Sequence, residues 1–258
     1  MNDREQHGSH PYSHLPPILL RRLGITGEHL RHDAEELAHF VPAWLREGDA
    51  ENRFPVAIAV ALAIALQLLL PRRFSLHPRE LLPALEGAVL VTLTIVNPVR
   101  FEVERRWLRN MSILLIALMS IGNAVSAGLL ADRLVEGTAG KNAAALLLAG
   151  GSIYLTNVIA FGLWYWEFDR GGPFARRHVR DPHPDFLFPQ MTLPELAEHN
   201  WKPEFLDYLY VSFTNATAFS PTDTMPLSRW AKMLMAAQSG VSLVTVALVV
   251  ARAVNILK

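Results

Sequence analysis

Charged residues along this chain are sorted into blocks instead of recurring at a helical period. Five long stretches, residues 54–70, 81–97, 111–131, 143–166 and 230–257, carry almost no charge, and the charges crowd between them. A soluble amphipathic helix keeps one polar face at a 3.6-residue period, so this segregation predicts helices whose solvent is a lipid bilayer. Each stretch approaches the ~20 residues that cross a hydrocarbon core of about 30 Å. The first two are short and must stand upright or thin the bilayer, and the last is long enough to tilt. The expected fold class is therefore an all-α integral membrane protein with five transmembrane helices.

The flanks agree with that reading. Trp164, Tyr165 and Trp166 close the fourth stretch beside Glu167 and Asp169, where an interfacial aromatic belt would sit, and Arg72 and Arg73 close the first. Half of all residues are apolar (51%), and the formal net charge is +0. The first fifty residues are polar and rich in His and Arg, with no hydrophobic segment of signal type, so the N-terminus is expected to be retained. There are no cysteines, which excludes disulfides and thiolate metal sites.

Residues 1–53 form a polar N-terminal region in which 28–46 predicts an amphipathic helix. Leu30, Leu37, Phe40, Val41, Trp44 and Leu45 share its apolar face, which suits a membrane surface or the side of the bundle. His29, His32, Glu36 and His39 have spacings that could hold a metal, but a solvated face produces the same spacings, and no metal or cofactor is expected. His178, His183 and His199 lie in a proline-rich loop and are read the same way.

Arginines set the expected orientation. Arg46, Arg53, Arg100, Arg105, Arg106, Arg109, Arg170, Arg176, Arg177 and Arg180 collect on one side of a five-span chain. The positive-inside rule makes that side, with the N-terminus and the loop after the fourth span, cytoplasmic in a multi-pass protein of the cell inner membrane.

The most informative stretch follows residue 202. Pro203 and Glu204 predict a helix start, since proline is tolerated in the first turn and a carboxylate suits the positive end of the dipole. Phe205, Tyr208, Leu209, Phe213 and Ala216 continue it until the Ser220-Pro221 break, too soon to span. A half-helix that enters a membrane must turn back, and its exposed backbone survives only against protein or a water-filled cavity. A re-entrant helix over 203–218 is the expectation.

Residues 210–226, Tyr-Val-Ser-Phe-Thr-Asn-Ala-Thr-Ala-Phe-Ser-Pro-Thr-Asp-Thr-Met-Pro, resemble the pore helix and filter of two-transmembrane potassium channels. In that family the filter reads Thr-Val-Gly-Tyr-Gly-Asp, with a proline three residues after the aspartate. Here Ala218, Phe219, Ser220, Pro221, Thr222 and Asp223 occupy those places, and Pro226 is present. The resemblance implies an outer helix (143–166), a loop (167–202), the re-entrant helix (203–218), a filter-like loop (218–226) and an inner helix (228–257) with Gly240 as its hinge. It does not reach the three spans of 54–131. The tail, with its Arg170-Gly171-Gly172-Pro173 exit, is also similar to uncharacterised bacterial membrane proteins.

Both filter glycines are replaced, by Ser220 and Thr222, and Pro221 stands in the tyrosine's place, so carbonyls in glycine-type conformations are not available to line the path. The resemblance then implies a homotetramer whose half-helices aim their negative C-terminal ends at the midplane. The pathway for monovalent ions would be lined by Asn215, Thr217, Ser220 and Thr222, with Asp223 at the mouth and Phe219 as a plug or gate. Two other functions stay open: a non-conducting scaffold on the same fold, and a proton-coupled transporter using Glu86 as a relay. Gln67, Asn97, Asn123 and Asn157 read as interhelical bridges. No phosphate loop, nucleophile elbow or metalloprotease motif points to an enzyme, and nothing implies nucleic acid.

Overall fold

The computed structural model describes residues 42–96, 106–140, 142–198, 200–218 and 223–257. Its helices are α1 (Phe54–Leu69), α2 (Leu81–Val96), α3 (Arg106–Val135), α4 (Ala143–Phe168), α5 (Pro173–Arg177), α6 (Pro189–Thr192), α7 (Phe205–Ala218) and α8 (Arg229–Leu257). Two-residue strands, β1 (Phe186–Leu187) and β2 (Met225–Pro226), pair antiparallel, a small addition to the all-helical expectation. Helices α3, α4 and α8 are long and apolar enough to cross a membrane, and α1 and α2 are shorter apolar helices. At 16 residues each, α1 and α2 rise about 24 Å at ~1.5 Å per residue.

The amphipathic helix expected over 28–46 falls mostly outside the described residues. Its described end is a 3-10 turn, Ala43–Leu45, after which Arg46 is extended. Proline at 42 removes a backbone donor and disfavours continuation of an α-helix through this point. His29, His32, Glu36, His39 and His199 also lie outside the described residues.

Local chemistry sets the helix ends. Asn52 Oδ1 accepts the Phe54 amide at 2.9 Å, with Pro55 in the first turn of α1. Pro71 follows the end of that helix and keeps Leu70 extended. Asn142 caps α4 by accepting the Ala145 amide at 3.0 Å. Helix α7 opens with the Asp207 carboxylate reaching back 2.8 Å to the Glu204 amide, the backward half of a capping box.

Helices α1 to α4 alternate in direction, and α7 and α8 both run antiparallel to α4. Arg109 near the start of α3 meets Glu167 at the end of α4 at 3.5 Å, and Trp164 donates to Ser120 at 2.9 Å. Along α4 and α8, Tyr165 meets Gln238, Asn157 meets Ser242, and Gly150 abuts Val249, so these two helices are antiparallel. Arg53, just before α1, donates to the carbonyl of Leu93 near the end of α2. The starts of α1, α3, α7 and α8 and the ends of α2 and α4 therefore share one end of the bundle. Two apolar clusters divide the interior: one at that end around Tyr165, Trp166, Phe186 and Tyr208, the other at the far end around Phe74, Leu130, Leu146 and Ile153.

Candidate functional site

The loop after α4 is a folded cap built on a sharp reversal. Arg170 (φ 52), Gly171 (φ 80) and Gly172 (φ 95) all take left-handed conformations. At Gly172 a Cβ would lie 2.9 Å from the Glu167 carbonyl, so only glycine fits. The turn puts Asp169 inside the cap, fully buried. Its Oδ1 accepts the amides of Asp185 (2.8 Å) and Phe186 (3.3 Å), and its Oδ2 accepts the Tyr208 hydroxyl at 2.6 Å. Asp185 in turn accepts the Arg170 amide and the Trp230 indole at 3.0 and 2.8 Å. One carboxylate pair thus ties together the end of α4, the first turn of α7 and the first turn of α8.

Arg176 closes the cap from the other side. It pairs with Glu51 at 3.0 Å, donates to the carbonyls of Trp166 (2.5 Å) and Asp169 (3.1 Å), and lies over the Tyr208 ring. Burial alone would lower its pKa, but the Tyr208 oxygen, Glu51 and Asp169 more than offset that and hold the guanidinium above the ordinary arginine range. Trp166 also donates to Glu51 at 2.6 Å, anchoring the segment before α1. Arg170 and Arg176, both counted above as cytoplasmic loop charges, are buried structural groups.

Below the cap a neutral polar seam runs between α4, α7 and α8. Gln238, fully buried, accepts from the Tyr165 hydroxyl (2.6 Å) and the Asn215 amide (2.8 Å), and donates to the Ser212 carbonyl and hydroxyl at 3.0 and 2.6 Å. Ser212 donates onward to the Val158 carbonyl at 2.6 Å. Asn157 bridges to Ser242 at 3.0 Å, as expected of an interhelical amide. Gly162 lets the α7 backbone approach α4, since a Cβ there would stand 3.1 Å from Leu209 Cα. A seam of amides and hydroxyls satisfies every group without placing charge between helices.

Among the expected pathway residues, Asn215 is buried in this seam, donating to the Met235 carbonyl as well as to Gln238 and accepting from Ser239 at 3.3 Å. In the single chain it faces α8. Thr217 is exposed, with its hydroxyl bonded back to Phe213 and Thr214, and Asp223 is exposed. Phe219, Ser220 and Thr222, with Pro221, lie outside the described residues. Gly240 sits in uninterrupted helix, beside an apolar groove of about 330 Å³ whose walls include Ala127 and Gly128. Tyr165, expected in an interfacial belt, is instead buried in this seam, and Ser212 and Gln238 carry no expected role, although a lone glutamine inside an apolar run is a visible signal.

Glu86 lies apart from these residues, between α1 and α2. It is fully buried; Oε2 accepts the Gln67 amide at 2.9 Å, and Oε1 has no hydrogen-bond partner. Among the described residues no group of three or more His, Asp or Glu side chains is arranged to hold a metal ion. No family model, no curated protein and no solved structure matches this chain.

Proposed function

We propose that this protein is a channel-like membrane protein in which α4, α7 and the segment up to α8 form a re-entrant pore module, assembled as a homotetramer around a cation pathway without a standard potassium filter. One observation carries the reading: α7 and α8 begin beside the same cap, with Tyr208 and Trp230 both in edge contact with Phe186. At 14 residues, α7 rises about 21 Å, short of a hydrocarbon core of about 30 Å. A chain that leaves the end of α7 and starts α8 back at the cap has entered and returned. The β1–β2 pairing supports this, since it joins the residues before α6 to those before α8.

Assembly is supported by what the single chain leaves uncovered. Only 28% of the apolar window of α8 is buried, against 56% for α4. Leu206, Tyr210, Phe213 and Thr217 form one exposed stripe along α7. Helices α1, α2 and α3 complete five spans in this reading. The cap side is cytoplasmic, which inverts the module relative to potassium channels.

The test is ion flux in liposomes for potassium, sodium and chloride, with the parent beside Phe219→Ala. Cation flux in the parent supports the pore, and flux only in the variant makes Phe219 its gate. Silence in both moves the function to a non-conducting scaffold. A proton-coupled transporter is a second reading, favoured by the bare oxygen of Glu86. Flux that follows a pH gradient and vanishes in Glu86→Gln would establish it.

A further inference from the structure

Beside the cap, the segment before α1 and the start of α7 enclose a cleft of about 540 Å³. Its lining is sorted by depth. Arg170 and Arg176 form the buried wall, and Arg177 and Lys202 stand half-buried above them. The acidic lining residues Glu47, Asp49 and Glu204 are all exposed, at the rim. Glu51, the carboxylate on the inner side, is committed to Arg176 and Trp166.

The inner wall also holds donors without acceptors. Trp44 Nε1, Arg170 Nη2 and Arg176 Nε are buried with no hydrogen-bond partner, and all three residues line this cleft. Buried N–H groups left unmade cost about 1–3 kcal/mol each, and three of them behind one cleft make its inner wall rich in donors and short of acceptors. Lys202 spends one donor on the Arg46 carbonyl at 2.7 Å, and Arg177 spends its Nε on the Gly48 carbonyl at 3.0 Å. The remaining ammonium and guanidinium donors are further anion ligands.

We propose that this cleft is a binding site for a phosphate-type oxyanion, taken either from a phospholipid headgroup or from free phosphate. The anion sits against Arg177 and Lys202, with the cationic wall of Arg170 and Arg176 behind it. The acidic rim favours a ligand whose outer end is cationic, as in an ethanolamine headgroup. The location agrees, because the cleft lies beside the end of α4, a helix long and apolar enough to cross a membrane, and the headgroup layer would meet the protein at such an end. Burial pulls the Lys202 pKa below the ordinary lysine range, with Asp49 offsetting this in part, and a bound anion would raise it. The site does not depend on the pore reading.

The experiment uses the full-length protein in detergent, with the double variant Lys202→Gln/Arg177→Gln and, as a control at the far end of the bundle, Arg252→Gln. Inorganic phosphate is titrated at constant ionic strength while the melting temperature is followed. Native mass spectrometry then counts phospholipid retained after incubation with phosphatidylethanolamine, phosphatidylglycerol or phosphatidylcholine vesicles. The expected result is saturable stabilisation by phosphate in parent and control, weakened about tenfold or more in the double variant. One phospholipid retained by the parent, displaced by phosphate and lost in the double variant, identifies the headgroup as the source. Phosphate stabilisation without retained lipid identifies free phosphate. A parent that shows neither, or a folded double variant that behaves like the parent in both assays, overturns the proposal.

Discussion

Asp169 and Glu86 are both buried carboxylates in this helical protein, and their settings are opposite. Asp169 accepts two backbone amides and a tyrosine hydroxyl, and two buried arginines stand nearby. Glu86 has one amide partner and a bare oxygen. The first is built as a fixture, since both of its oxygens are bonded and its three donors come from two segments, the 185–186 backbone and the first turn of α7. The second has room to exchange a partner or a proton. In a membrane protein a saturated acid marks architecture, and an unsaturated one marks chemistry.

Asp169→Asn tests the first half of that contrast and carries the largest expected effect. It removes the charge that Arg170 and Arg176 face and gives the cap an extra donor where three donors already converge. Breaking such a buried arrangement costs about 3–5 kcal/mol. The expected result is a large fall in thermal stability of the detergent-purified protein, with loss of its monodisperse peak. Tyr208→Phe removes only the 2.6 Å bond to Asp169. A hydrogen bond to a charged group is worth about 1.5–3 kcal/mol, so this variant should fold with a clearly lowered melting temperature. Equal stability of parent and Tyr208→Phe would show that Asp169 is held by the backbone amides alone.

How much of this is legible in the sequence follows from what kind of contact makes each element. The windows 143–166 and 230–257 match α4 and α8 closely, because their signal, exclusion of charge, is local. The third window, 111–131, is too short at both ends: α3 starts at Arg106 and runs to Val135, with charged residues tolerated outside the apolar stretch. The cap is illegible, since Glu51, Tyr208 and the Asp169–Arg176 stretch come from three separate parts of the chain and each residue reads alone as a loop charge or a helix aromatic. The seam is half visible: Asn215 reads as an oxygen for ions, while nothing near it in sequence points to its partner Gln238, more than twenty residues away. Spacing within α7 could show that Ser212 and Asn215 share a face, but not that α8 covers it.

Glu86→Gln sharpens the other half of the comparison. The substitution keeps the shape and an oxygen for Gln67, so the expected change in stability is about 1 kcal/mol or less. A loss as large as that of Asp169→Asn would mean that the acid is a structural fixture after all. Unchanged stability together with altered proton-dependent flux would assign Glu86 a working role.

The smallest effect is expected at Glu204, an exposed acid at the head of α7, and it depends on pH. Burial raises its pKa above the ordinary carboxylate range, and Glu51 and Asp207 add to the shift. An acid whose folded pKa is raised contributes stability that is fully present below its unfolded pKa and is lost as pH rises through the folded value. Near neutral pH the charged form is therefore a mild cost, discounted further by its exposure to water. Glu204→Gln should raise the melting temperature slightly at neutral pH, and the gain should disappear in buffers below the carboxylate range. Unlike the two fixtures at Asp169 and Tyr208, this acid is stabilising to remove, so a loss of stability at neutral pH would show that Glu204 has a cationic partner in the folded protein.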